Sequence, residues 1–160
     1  TTVLGTAEVS VPIDTLVITS ILRAGLPMHN GMLHVFDHAE NAFISAYRKY
    51  DRDGGFHVEV EYVSSPDLTH KILILCDPML ATGSSMVLCY KELLNHGKPL
   101  HTHFVSLISS VEGIEFLKQQ IPPDNYTLWT GAIDDELTAQ AYIVPGLGDA
   151  GDLAYGKKVK

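Results

Sequence analysis

Apolar residues along this chain fall into three patterns, and each predicts a different element. Leu16-Val17-Ile18-Thr19 and Ile72-Leu73-Ile74-Leu75-Cys76 are short runs with little or no polar alternation, and Ala42 to Tyr47 is a further strand. Runs of that length suit strands buried on both faces, the kind a parallel sheet uses. Met28, Met32, Leu33 and Phe36 recur at helical spacing, as do Val87, Leu88, Cys89, Leu93 and Leu94, and Val111–Gln120 forms a further helical segment. Pro27 stands where a helix tolerates it, in the first turn; Asn95-His96-Gly97 and Pro122-Pro123 are stop signals. Phe56 to Val63 alternates instead, with Val58, Val60 and Tyr62 on one face and Glu59 and Glu61 on the other. That predicts a half-exposed antiparallel strand, joined to Ala42–Tyr47 through the tight turn Asp51-Arg52-Asp53-Gly54-Gly55. His103–Ile108 and Tyr126–Ile133 are further strands, and Ile143-Val144 is a short last one. Strands alternating with helices across short loops predict an α/β fold: an open, mainly parallel sheet flanked by helices, with a β-hairpin arm.

Ligands in such sheets bind beyond the C-terminal ends of the strands, so the loops there carry the interest. The Ile72–Cys76 strand stops at Asp77 and passes through Pro78-Met79-Leu80-Ala81-Thr82-Gly83-Ser84-Ser85 into a helix. Helix starts present unpaired N–H groups and a partial positive charge, and the flanking hydroxyls add donors, so this loop suits a phosphate. It is not a Walker loop, because the spacing differs and no Lys follows the glycine. Arg23 and Gly25 follow the first strand, Arg48 closes the second, and a glycine-rich stretch, Gly146–Gly151, follows the last.

The net charge of −8 argues against broad nucleic-acid binding, which needs a basic face. It leaves room for a small phosphorylated ligand held by local arginines. A length of 160 residues and 46% apolar content suit one domain with an ample core. No window has the roughly 18 apolar residues of a membrane helix, and Thr1-Thr2-Val3 opens no signal peptide, so the cytoplasm is the expected compartment. Cys76 and Cys89 fall at core positions and are expected to be free, buried thiols. His101 and His103 share a strand face, and His34 and His38 share a helical face, but no third ligand has zinc spacing. These histidines, with His29, are expected to be solvated, and no protein-ligated metal is expected. Tyr126 and Trp129 alternate with apolar residues and are expected in the core.

Asp77-Pro78-Met79-Leu80-Ala81-Thr82-Gly83-Ser84-Ser85 resembles the ribose-5-phosphate loop of uracil phosphoribosyltransferases, members of the type I phosphoribosyltransferase class. Ser20-Ile21-Leu22-Arg23-Ala24-Gly25-Leu26 resembles their pyrophosphate loop, Tyr47-Arg48 their second arginine site, and Tyr142-Ile143-Val144-Pro145-Gly146-Leu147-Gly148-Asp149-Ala150-Gly151-Asp152 their uracil site. The resemblance implies an enzyme of pyrimidine salvage, transferring ribose 5-phosphate from phosphoribosyl pyrophosphate to N1 of uracil to give UMP and pyrophosphate. It implies catalytic roles for Arg23, Arg48 and Asp149, and phosphoribosyl pyrophosphate contacts at Arg23, Arg48, Asp77, Pro78, Met79, Leu80, Ala81, Thr82, Gly83, Ser84, Ser85 and Asp149. It implies uracil contacts at Ile143, Gly148, Asp149 and Ala150. Magnesium would arrive on phosphoribosyl pyrophosphate rather than on a protein ligand cluster. A homodimer or larger homo-oligomer, paired partly through the Tyr50–Tyr62 hairpin, and a nucleotide effector such as GTP also belong to the family picture. No membrane or nucleic-acid partner does. The family carries a helical N-terminal segment before its first sheet strand. Here a strand pattern arrives by Val17, so a single domain over residues 1–160 lacking that segment is expected.

Two positions depart from the family pattern. Ser84 stands where a second glycine is usual; it is costly if φ must be positive and well suited if it begins the helix. Leu153 follows Asp152 where an arginine is often found, removing one cationic contact. These departures leave a second expectation open: a protein of the same fold that binds UMP or phosphoribosyl pyrophosphate without turnover and acts as a regulator.

Overall fold

A computed structural model describes residues 1–9, 15–50 and 56–157, and of residues 48–50 and 56–58 only the backbone. The first parallel core strand is β1 (Leu16–Leu22), followed by helix α1 (Leu26–Leu33). A hairpin of β2 (Glu40–Tyr50) and β3 (Phe56–Ser64) comes next. Then follow β4 (Ile72–Cys76), the short β5 (Met79–Leu80) and α2 (Ser84–Leu93). β6 (His101–Ser110), α3 (Val111–Gln120) and β7 (Tyr126–Asp134) complete the main sheet. β8 (Glu136–Leu137), β9 (Ile143–Val144) and α4 (Ala150–Tyr155) close the chain.

The seven-stranded sheet runs β3-β2-β1-β4-β6, with β5 and β7 both pairing β6. Every pairing in it is parallel except β2 with β3. The apolar runs of β1 and β4 are central, which is why they carry no polar alternation: Val17, Ile18, Leu73 and Leu75 are all fully buried. On one face Val17, Ile21, Ile44, Leu73, Leu75 and Phe104 pack against Met86, Val87, Cys89, Tyr90 and Leu93 of α2 and Leu117 of α3. On the other face Ile18, Ile74 and Cys76 meet Met28, Met32 and Leu33 of α1. Cys76 and Cys89 are buried free thiols, and burial pushes each up to about 12.

Several sequence expectations need correction. Trp129 is not in the core but 56% exposed. It lies on the sheet face that α1 covers, but α1 is only eight residues long and the apolar cluster beneath it ends at Val105. The Trp129 indole instead donates to His103 Nδ1 at 3.1 Å. Tyr126 does pack against the main core. Tyr62 does not share a face with Val60: the register shifts at Ser45/Ala46, so Val60 and Val63 face the core while Tyr62 is exposed. His29 is not solvated but buried, stacked on Phe43 and bonded to Asn41 at 2.6 Å. Ile143-Val144 does not join the main sheet; it pairs antiparallel with β8 in a separate two-stranded sheet. The hairpin turn Asp51–Gly55 lies outside the described residues, so the β2–β3 arm is described only up to that turn.

Candidate active site

The C-terminal ends of β1 and β4, the neighbours at the centre of the sheet, open into a cleft of about 710 Å³. Its walls include Arg23 and Ala24 after β1, Ala46 and Tyr47 of β2, Asp77 after β4, and Met79 to Gly83 with Ser85. Ala141, Tyr142, Asp149, Ala150, Gly151, Asp152 and Lys157 close the far side.

The loop after β4 is locked into the core. Pro78 is buried, and its carbonyl accepts from Leu107 and Ile108 N–H, both at 3.1 Å. β5 then pairs with the end of β6. Gly83 caps α2 with φ +77, a conformation that side chains resist, and an added Cβ there would meet Gly113 O at 2.8 Å. Ser84 is thus the first residue of the helix, the position where serine is tolerated, and its hydroxyl accepts from Thr82 Oγ1 at 3.1 Å. Ser110 fastens the loop from behind: its hydroxyl donates to Ala81 O and accepts from Gly113 N, capping α3. The result is a helix start with the Thr82 and Ser85 side chains at the cleft.

Asp77 stands on the cleft floor at the strand end, where burial pushes its carboxyl up to about 7, against the Met79 backbone N–H, which pulls it down. Arg23 is held by the far wall: Nη2 donates to Asp152 Oδ1 at 2.7 Å and to Gly156 O at 2.8 Å. Its Nε is buried beside Gly151 and has no hydrogen-bond partner in the protein. Tyr47 donates to Glu59 at 2.8 Å across the β2–β3 hairpin.

The glycine-rich segment is built differently. Thr138 and Tyr142 close the β8–β9 turn, with Tyr142 N–H donating to Thr138 Oγ1 at 3.1 Å. Asp149 caps α4, accepting from Asp152 N–H at 2.8 Å. That placement gives Asp149 a turn-forming role as well as a position on the cleft wall.

Of the residues singled out in the sequence, the cleft brings together Arg23, Asp77, Met79, Leu80, Ala81, Thr82, Gly83, Ser85, Asp149 and Ala150. Pro78, Ser84, Ile143 and Gly148 are not among its walls; Ile143 is buried. Arg48 occupies β2 opposite Val58, and its side chain lies outside the described residues. Lys157 escaped the sequence reading, because a lysine beyond a glycine-rich stretch carries no pattern of its own.

A family model described as "Uracil phosphoribosyltransferase" matches residues 1–157. Over 159 residues the chain is 56% identical to a uracil phosphoribosyltransferase of Porphyromonas gingivalis, covering 99% of this chain and 73% of that protein. It is 42% identical over 144 residues to one from Methanothermobacter thermautotrophicus, covering 90% of this chain and 64% of the relative. Among solved structures, the AQ2163 protein of Aquifex aeolicus superposes with a TM-score of 0.80 at 33% identity, over 91% of this chain and 67% of that one. A purine phosphoribosyltransferase from Pyrococcus horikoshii shares the fold, with a TM-score of 0.53 at 18% identity over 79% of this chain and 80% of that one.

Proposed function

The chain belongs to the uracil phosphoribosyltransferase family, and from that premise we propose that it makes UMP in pyrimidine salvage. Ribose 5-phosphate passes from phosphoribosyl pyrophosphate to uracil. The bond between the anomeric carbon and the pyrophosphate oxygen breaks, and its electron pair leaves with pyrophosphate. The bond from that carbon to uracil N1 forms, and N1 loses its proton. The observation that carries the proposal is one cleft holding Arg23, the Asp77–Ser85 loop and the Asp149–Asp152 wall together.

Each part of the substrate meets fitting chemistry. The start of α2, with Thr82, Gly83 and Ser85, offers neutral donors to the 5-phosphate. Asp77 accepts from the ribose hydroxyls. Arg23, joined by Arg48, holds the pyrophosphate as negative charge grows on it, an effect worth several kcal/mol in a transition state. On this reading the uracil edge is read by backbone groups around Ile143, Gly148 and Ala150, of which Ala150 lines the cleft, and Asp149 serves the pyrophosphate side.

Magnesium belongs to this scheme as part of the substrate. Asp77 and Asp149 line the cleft, and carboxylate oxygen is the donor type that a hard cation takes. Among the described residues, no group of three or more His, Cys, Asp or Glu could hold a metal ion unaided. The bound ion would neutralise pyrophosphate charge. A homodimer or larger oligomer paired through the β2–β3 hairpin, and control by a nucleotide such as GTP, extend the same reading. Among the described residues no helix is long and apolar enough to cross a membrane.

The test is direct: incubate the protein with uracil, phosphoribosyl pyrophosphate and magnesium and follow UMP by chromatography. UMP formation that requires all components is the expected result. Binding of phosphoribosyl pyrophosphate with no UMP would instead identify a non-catalytic regulator.

A further inference from the structure

The carboxylate of Asp134 accepts a hydrogen bond from the backbone N–H of Gly146 at 2.9 Å. Asp134 is the last residue of β7, and so the last residue of the main sheet before the chain departs into the β8–β9 excursion. Gly146 is the first glycine after that excursion returns. The bond therefore closes the base of the excursion and ties the glycine-rich stretch back to the sheet edge. We propose that Asp134 is a positioning residue for base recognition: it fixes the height and register of Gly146–Gly151 against the rest of the cleft.

Three features support this, and the inference rests on the uracil-directed reading above. First, strand pairing within the excursion is minimal, although Ala141 and Ile143 are buried. β8 and β9 are two residues each, and an isolated short hairpin is not stable by itself. Second, Gly146 adopts φ +54, and an added Cβ there would collide with Ile143 O, so the backbone folds back on itself at the point where Asp134 grips it. Third, the stretch it grips continues through Asp149 to Asp152, whose carboxylate holds Arg23 at 2.7 Å. A backbone that reads a base must stand within a few tenths of an ångström of its place, and a charge-assisted hydrogen bond to a partly buried N–H gives that constraint. Asp134 is not a wall of the cleft, so it acts through the loop and not on the substrate.

The experiment compares Asp134→Ala and Asp134→Asn with the parent protein in steady-state UMP synthesis and in backbone hydrogen exchange. Asp134→Ala is expected to raise the KM for uracil about tenfold or more, leave the KM for phosphoribosyl pyrophosphate within about twofold, and speed exchange across residues 144–151. Asp134→Asn keeps a carbonyl acceptor and is expected to recover most of both losses. Should Asp134→Ala fail to fold, Asp134→Ser, too short to reach Gly146, takes its place. An unchanged uracil KM, an equal rise in both KM values, or unaltered exchange across residues 144–151 overturns the proposal. A parent protein that makes no UMP defeats the functional reading instead. Exchange and equilibrium uracil binding then decide the role of Asp134: faster exchange with weaker uracil binding supports it, and unchanged values overturn it.

Discussion

The loop after β4 and the loop after β9 are both glycine-bearing turns that run into a helix, yet the molecule holds them in different ways. The first is part of the core. α2 is ten residues long and buries Met86, Val87, Cys89, Tyr90 and Leu93, and Ser110 at the end of β6 and Gly113 of α3 press the loop from behind. The second hangs from a two-stranded excursion, and its helix, α4, has six residues of which only Gly151 is buried. Hydrogen bonds of Asp134, Asp149 and Arg23, with the buried Ala141 and Ile143, hold it, whereas a helix packed into the main core backs the first. On the reading proposed above, the 5-phosphate would meet a loop that folding itself fixes, and the base would meet a loop at the margin whose shape a few polar contacts help to set.

The strongest way to break this comparison is at Gly148. Its φ is +84, and open space surrounds the position of a Cβ, so Gly148→Val acts through backbone conformation and not through collision. UMP synthesis should be abolished while calorimetric binding of phosphoribosyl pyrophosphate stays largely intact. A fully active variant would show that the base is read elsewhere.

Asp77 tests the core-bound side. Its carboxyl rises from 3.8 to about 7 on folding, chiefly through burial. Between those values the folded state binds more protons than the unfolded one, so stability should fall as pH rises through this window and level off above it. Urea midpoints for the ligand-free protein, followed from about pH 4 to about pH 8, should show this decline. Asp77→Asn should flatten it; a parallel decline in the variant would assign the effect to other groups.

Thr82→Ala removes one hydrogen bond to a charged group, worth roughly 1.5–3 kcal/mol. Phosphoribosyl pyrophosphate should bind about tenfold more weakly or worse, with uracil affinity unaltered. An unchanged isotherm would place the phosphate away from this loop. The smallest effect belongs to Ser110→Ala, which removes the α3 cap and orphans Ala81 O. A loss of about 1 kcal/mol in urea denaturation is expected, with the uracil KM unmoved; a shifted uracil KM would mean that the two loops are less separate than they look.

The same division explains how far the sequence could be read. Buried parallel strands announce themselves as apolar runs, and Ile72–Cys76 followed by Asp77 and a hydroxyl-rich turn placed both the strand and the helix start that borders the cleft. Of the excursion only Ile143-Val144 could be read; its partner Glu136-Leu137 could not, because strands of two residues have no period. Trp129 misled because alternation along β7 reports which face a side chain occupies, not whether a helix as short as α1 reaches that far. Tyr62 misled because a single register shift reversed the faces of β3. Asp134 did have a signal: like Asp77, it is an acid that ends an apolar strand pattern. Without the excursion in view, nothing tied it to Gly146.

The strand order has a consequence in time. β1 is made before β4, yet in the sheet it lies between β2 and β4, and its β4 neighbours, such as Leu73 beside Val17, arrive more than fifty residues later. Contacts of such long sequence separation form slowly, since a large loop must close before they reward it. Arg23 and Asp77 sit at the ends of those two strands, so they become neighbours only once that closure is complete. A growing chain therefore carries no half-built cleft, and ligand binding is a late event that reports a finished sheet. A ligand bridging the two strand ends would in turn stabilise the entire central pairing by mass action, and protection from proteolysis should spread well beyond the residues it touches.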